Sequence, residues 1–154
     1  MDKKYRVAVI NGPNINILGI REKDVYGTET WREIEEDLKE LAGKLDIDIV
    51  FFQSNHEGNI VDFIQENLFK MDGVLINPAA FTIGGYSILD ALTAIDLPFV
   101  EVHLSNINAR ESWHAETIFA AKAGGHINGF QGYGYHLGLL GLYHILEEKN
   151  KKNG

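Results

Sequence analysis

Four short apolar runs punctuate the chain, at residues 7–10, 47–52, 74–76 and 99–102. Each is too brief for a helix and is rich in β-branched or aromatic side chains, so each reads as a strand buried on both faces. Between the first two, residues 30–45 place Trp31, Ile34, Leu38, Leu41 and Leu45 at helical spacing, and Thr30 with Glu33 forms a capping box. A second amphipathic helix is predicted over 57–71, with Ile60, Val61, Ile64 and Leu68 on one face. A third is predicted over 85–95 with Ile88, Ala91, Leu92 and Ile95. Pro98 separates it from the fourth strand. A weaker fifth strand falls around 126–128, and a last helix spans 135–148 with Leu139, Leu142, Tyr143 and Leu146 in register. Strand and helix alternate throughout. That order predicts an α/β fold: a flavodoxin-like, doubly wound, five-stranded parallel sheet with helices on both faces. Residues 1–148 form a single domain in this reading, and the lysine-rich end, 149–154, is expected to fray.

Composition narrows the partners. A chain of 154 residues that is 45% hydrophobic and 23% charged suits one globular domain with a real core. Fourteen basic against 22 acidic residues give a formal charge of -8, which disfavours nucleic acid, since binding phosphate needs a basic face. No apolar run is long enough for a signal peptide or a membrane span, so no membrane partner is expected. The absence of cysteine removes disulfides and thiolate chemistry and fits a cytoplasmic protein.

In an open parallel sheet, ligands bind at the carboxyl ends of the strands. There the sequence delivers Asn14, Asn77 and the run Glu101-Val102-His103-Leu104-Ser105-Asn106. Glu101 and His103 are two apart, so a strand projects both to one side, where the carboxylate can fix the tautomer of the imidazole and raise its basicity. The alternative is a solvated polar strand end. The loop from 16 to 26 is longer than a strand-to-helix connection requires and carries Arg21 and Tyr26; long loops at a sheet rim often act as lids. A phenol ordinarily keeps its proton at neutral pH. An arginine held against its oxygen, with Arg21 and Arg110 the candidates, would favour the phenolate and make it a base. A surface loop with Tyr26 packed on the following helix is the bland reading.

Other motifs are missing. There is no Walker loop and no serine-hydrolase elbow. The run Gly129-Phe130-Gln131-Gly132-Tyr133-Gly134 precedes the last helix instead of following the first strand, so it does not read as a dinucleotide fingerprint. The six histidines show no metal-ligand spacing, and no metal site is expected.

Taken in order, Asn11-Gly12-Pro13-Asn14, Leu18-Gly19, Arg21, Tyr26-Gly27, Gln53-Ser54-Asn55-His56-Glu57-Gly58, Ile76-Asn77-Pro78, the Glu101 to Asn106 run and Ala109-Arg110-Glu111 resemble the type II 3-dehydroquinate dehydratases. The resemblance covers nearly the whole chain. It implies the fold inferred above and a lyase needing no cofactor, acting on a small anionic cyclic substrate. In that scheme Tyr26, beside Arg21 and near Arg110, removes a proton next to a ketone. Asn14 holds the enolate through an ordered water, and His103, oriented by Glu101, protonates the leaving hydroxyl. Asn77 and the backbone amides of Leu104 and Ser105 match positions that bind the substrate's hydroxyl and carboxylate. The family forms trimers assembled into dodecamers, with Asp90 reaching a neighbouring site. The chain departs from the family pattern where Ile83 follows Thr82 in place of histidine, where Gly84-Gly85 replaces threonine and serine, and where Leu89 and His114 replace arginines. These departures concern the substrate's diol side. They imply slower turnover of 3-dehydroquinate, a related cyclic β-hydroxy ketone acid as substrate, or an ordinary lineage variant whose neighbouring side chains restore the contacts. A non-catalytic small-anion or flavin-binding module on the same fold is the remaining alternative.

Overall fold

The computed structural model describes residues 3–20 and 22–154. Five strands form one all-parallel sheet: β1 (Tyr5–Asn11), β2 (Ile47–Gln53), β3 (Gly73–Asn77), β4 (Phe99–His103) and β5 (Gly125–Asn128), in the spatial order β2-β1-β3-β4-β5. This is the doubly wound order expected, with its switch point between β1 and β3. The helices are α1 (Lys23–Tyr26), α2 (Trp31–Leu45), α3 (Glu57–Glu66), α4 (Tyr86–Ala94), α5 (Ser112–Ala115) and α6 (Tyr133–Asn153).

The alternation of side chains along each strand sorts the core into two layers. Val7, Val9, Leu75, Val100 and Val102 face α2 and α6, where they meet Ile34, Leu38, Leu139 and Leu142. Ala8, Ile10, Val74, Ile76 and Phe99 face the opposite layer, where Ile60 and Ile64 of α3 and Ile88 and Leu92 of α4 close over them. Helix α6 seats deeply because it carries glycine where it crosses the sheet: a Cβ at Gly138 would come within 2.7 Å of Leu75 Cδ1. No helix among the described residues is long and apolar enough to cross a membrane.

The capping box of α2 is present: Thr30 Oγ1 accepts from the Glu33 amide and Glu33 Oε2 accepts from the Thr30 amide. Helix α3 stops at Glu66, short of the expected 71. Asn67 Nδ2 donates to the Phe63 carbonyl at 2.8 Å, and Phe69 takes a left-handed φ of 62°, so the chain turns away. The last helix is longer than expected at both ends and stays helical through Asn153, across the segment expected to fray. The long loop after β1 is partly ordered by a 3-10 turn (Ile15–Ile17) and by α1.

Candidate active site

The site forms where β1 and β3 diverge. The Gly12 amide donates to the Asn77 carbonyl at 2.8 Å, clamping the two outgoing loops together. A side chain at Gly12 would overlap the Pro78 carbonyl, so only glycine permits this approach. Beyond the clamp two non-glycine residues hold left-handed conformations, Asn14 (φ 70°) and Ala79 (φ 51°). Both line the pocket, and conformations of this kind persist only where the surroundings over-determine them. Here the surroundings are polar side chains. The Asn14 amide donates to Asn55 Oδ1 at 3.1 Å, Gln53 Nε2 donates to that same oxygen and to the Gly12 carbonyl, and the Ala79 amide donates to Asn77 Oδ1 at 3.1 Å.

Behind this rim lies a buried chain of three polar side chains. Tyr135, fully buried on α6, donates its hydroxyl to Asn11 Oδ1 at 2.7 Å and accepts from Asn77 Nδ2 at 2.9 Å. Burial pushes the Tyr135 phenol well above the ordinary tyrosine range, while the Asn77 hydrogen bond acts weakly the other way. Asn77 is therefore gripped at both ends of its amide, by Tyr135 and by Ala79.

The pocket is a cavity of about 110 Å³ that opens to solvent. Its lining brings together Asn14, Tyr26, Asn77, Ile83, His103, Leu104, Ser105, Arg110 and His114 of the residues expected from sequence. Arg110 crosses the pocket to donate Nη1–H to the Tyr26 hydroxyl at 2.9 Å, and the same nitrogen lies 3.4 Å from Ser105 Oγ. A phenol oxygen that receives a guanidinium hydrogen bond has the donor and the positive charge a tyrosinate needs. Arg21 lies outside the described residues. Asp90, on the exposed side of α4, and Leu89, packed against the second core layer, do not line this pocket.

Glu101 sits beneath the pocket, fully buried, and supports the wall residue His103, whose Nε2 is 2.6 Å from Glu101 Oε2. Thr117 donates its hydroxyl to that same oxygen at 2.6 Å. The second carboxylate oxygen, Oε1, accepts no hydrogen bond from the described residues and lies 3.9 Å from His126 Nε2. Burial lowers the His126 imidazole below its ordinary value, the charge on Glu101 opposing that and His103 adding to it. His114 Nδ1 approaches the Glu111 carboxylate at 2.8 Å without hydrogen-bonding geometry. The Glu111 backbone amide, and after it His114, holds that carboxyl below the usual range.

Thr117, Tyr135 and Asn11 do not emerge from sequence reasoning as site residues, and neither does His126 as a neighbour of Glu101 outside the pocket. Tyr135 carries a signal: it heads the buried stripe Tyr135, Leu139, Leu142, Leu146, and a phenol on a buried stripe must find a partner for its hydroxyl. Thr117 reaches Glu101 from an irregular loop and carries none.

Residues 5–143 match the family described as Dehydroquinase class II. The chain is 51% identical over 141 residues to a 3-dehydroquinate dehydratase of Endomicrobium trichonymphae, covering 92% of this chain and 99% of that protein. It is 46% identical over 143 residues to one of Aliarcobacter butzleri, covering 93% and 87%. Among solved structures, a type II dehydroquinase of Butyrivibrio crossotus superposes with a TM-score of 0.86 at 40% identity, covering 90% of this chain and 97% of the other. A pocket that pairs Arg110 with Tyr26 opposite a Glu101-backed His103 thus sits in a chain that belongs to the class II dehydroquinase family.

Proposed function

We propose that this protein is a 3-dehydroquinate dehydratase, a hydro-lyase that converts 3-dehydroquinate to 3-dehydroshikimate and water. The observation that carries the reading is the Arg110 hydrogen bond to the Tyr26 hydroxyl, in the same pocket as the His103–Glu101 pair. One group is furnished as a base and another as an acid, and a β-elimination next to a ketone needs both.

The reaction runs in two proton transfers. Tyr26, as phenolate against Arg110, takes a proton from the carbon beside the ketone and leaves an enolate. Asn14, fixed in its left-handed conformation by Asn55, stabilises the charge through an ordered water between it and the enolate oxygen. His103, as imidazolium backed by the Glu101 carboxylate, protonates the β-hydroxyl as the carbon–oxygen bond breaks. Water departs and the conjugated enone remains. The proton gained by Tyr26 and the one lost by His103 are rebalanced through solvent before the next turnover. Asn77 and the Leu104 and Ser105 amides hold the substrate's hydroxyl and carboxylate, with Ile83 and His114 against its far side. The family resemblance adds Arg21 to the groups that act on the bound substrate. The family resemblance extends this proposal to a trimer-based dodecamer in which Asp90 reaches a neighbouring site, and to a cytoplasmic location.

Ultraviolet absorbance of the enone in a mixture of protein and 3-dehydroquinate tests the proposal, with Tyr26→Phe alongside. Turnover in the wild type that falls about 10²- to 10⁴-fold in Tyr26→Phe is the expected result. A folded wild type that forms no enone would refute the activity, and a fully active Tyr26→Phe would refute the base.

A further inference from the structure

Strands β4 and β5 pair in parallel with Glu101 opposite His126. Glu101 and His103 project to one face of β4, and the pairing sets His126 on that same face at the interstrand spacing of about 4.8 Å. The nitrogen of each imidazole and an oxygen of the carboxylate all lie within 4.8 Å of one another. The proposed reaction uses only half of this cluster. Glu101 Oε2 carries the contacts with His103 and Thr117, whereas Oε1, on a fully buried side chain, accepts no hydrogen bond from the described residues and faces His126 Nε2 at 3.9 Å. A bare carboxylate oxygen in the interior is unfavourable unless a donor or a cation meets it.

We infer that Glu101, His103 and His126 form a binding site for a borderline divalent cation of the zinc class, and that its occupation switches the enzyme off. The inference rests on the proposed role of His103. One carboxylate and two imidazoles are the donor set that zinc accepts with a fourth position left for water, whereas magnesium and calcium favour all-oxygen sets. Zinc bonds of about 2.1 Å in a tetrahedron place ligand atoms roughly 3.4 Å apart. The His103 Nε2–Glu101 Oε2 distance of 2.6 Å and the His126 Nε2–Glu101 Oε1 distance of 3.9 Å bracket that value, and the three ligand atoms, all within 4.8 Å of one another, draw to it when the ion binds. His126 is partly exposed and does not line the substrate pocket, so the ion enters from solvent at the β5 side. Binding takes the Nε2 lone pair of His103 and releases to solvent the proton shared with Glu101. An imidazolium ready to protonate a leaving group and a metal-bound imidazole are exclusive states of one ring, so the ion and the acid compete.

Titration of the full-length protein with Co²⁺, followed by its visible ligand-field absorption, reads the site without any turnover. Enone formation with added Zn²⁺, before and after chelation, reads the consequence. The wild type is expected to develop an intense tetrahedral Co²⁺ band and to lose turnover reversibly at micromolar Zn²⁺. His126→Val and His126→Gln keep their metal-free turnover but need at least tenfold more of either ion. Two replacements guard against one of them misfolding, which circular dichroism detects. No Co²⁺ band up to millimolar concentration, or the same metal affinity in both variants, would overturn the site. Co²⁺ binding in a protein that forms no enone would leave the site standing and sink the dehydratase reading; turnover without Co²⁺ binding would do the reverse.

Discussion

Removing one oxygen atom from Tyr135 should damage both the stability and the substrate affinity of this protein. The hydroxyl links Asn11 and Asn77, which are 1% and 2% exposed, and it is a donor to one and an acceptor from the other. In Tyr135→Phe the ring still fills its place, so no cavity opens. What changes is that Asn11 Oδ1 and Asn77 Nδ2 lose their partners in a region water does not reach. Asn11 fares worse, because its Nδ2 already lacks a partner in the wild type. Each orphaned group costs about 1–3 kcal/mol. The variant recovers part of that sum because it no longer desolvates a phenol, which leaves a net loss of about 2–4 kcal/mol. For a chain of this size 1 kcal/mol moves the midpoint by about 2–4 °C, so Tm should fall by roughly 4–16 °C.

Urea unfolding at fixed protein concentration measures the loss. Trp31 is a suitable reporter because its ring lies edge-on to Tyr135 with centroids 5.3 Å apart. Far-ultraviolet circular dichroism guards against a purely local signal. The functional arm separates the structural roles of the two asparagines: Asn77 keeps its contact with the Ala79 amide but loses Tyr135, so its free end can rotate and KM should rise more than kcat falls. A stability loss below about 0.5 kcal/mol with unchanged KM would refute the reasoning, since it would mean that the buried amides find replacement partners.

Further outcomes follow from the same geometry. Glu101→Gln keeps the shape beneath His103 but removes the charge that stabilises its imidazolium, so kcat should fall about 10²-fold or more in enone assays while the Tm changes little; an unchanged kcat would dismiss the acid assignment. Tyr135 also sets an alkaline limit. Its folded phenol titrates above the unfolded value of about 10, so its contribution is fully present below pH 10 and is lost as the pH climbs towards the folded value. The stability gap between wild type and Tyr135→Phe should therefore narrow above pH 10 in urea titrations, and a constant gap would contradict this. Ile83 and His114 both line the pocket, so Ile83→His combined with His114→Arg should raise kcat/KM for 3-dehydroquinate about tenfold, the worth of about 1.4 kcal/mol of regained hydrogen bonding. No gain would show that neighbouring groups already satisfy the substrate's diol.

What could be read from the chain divides along the reach of each interaction. The strands and α2 are written locally, in runs of β-branched residues and in a capping box that closes over four residues, and they form as expected. The premature end of α3 depends on a side chain, Asn67, turning back to its own helix, and hydrophobic spacing through Leu68 is blind to that. The site obeys the same division. Glu101 and His103 are legible as a pair because strand period places i and i+2 together, and the 2.6 Å contact is the result. Tyr26 and Arg110, 84 residues apart, are joined by the way two loops fold over one sheet edge; residue chemistry nominates Arg21 and Arg110 alike as partners of the phenol, and the fold supplies the Arg110 bond. His126 is the sharpest instance. It reads as one residue of a weak strand, and its partnership with Glu101 arises entirely from the register of β5 on β4. Slipping that register by one residue would turn His126 to the other face and dissolve the three-residue cluster while leaving the Glu101–His103 pair intact. The acid of the proposed reaction is therefore encoded within a single strand, and the control inferred for it is encoded in how two strands meet.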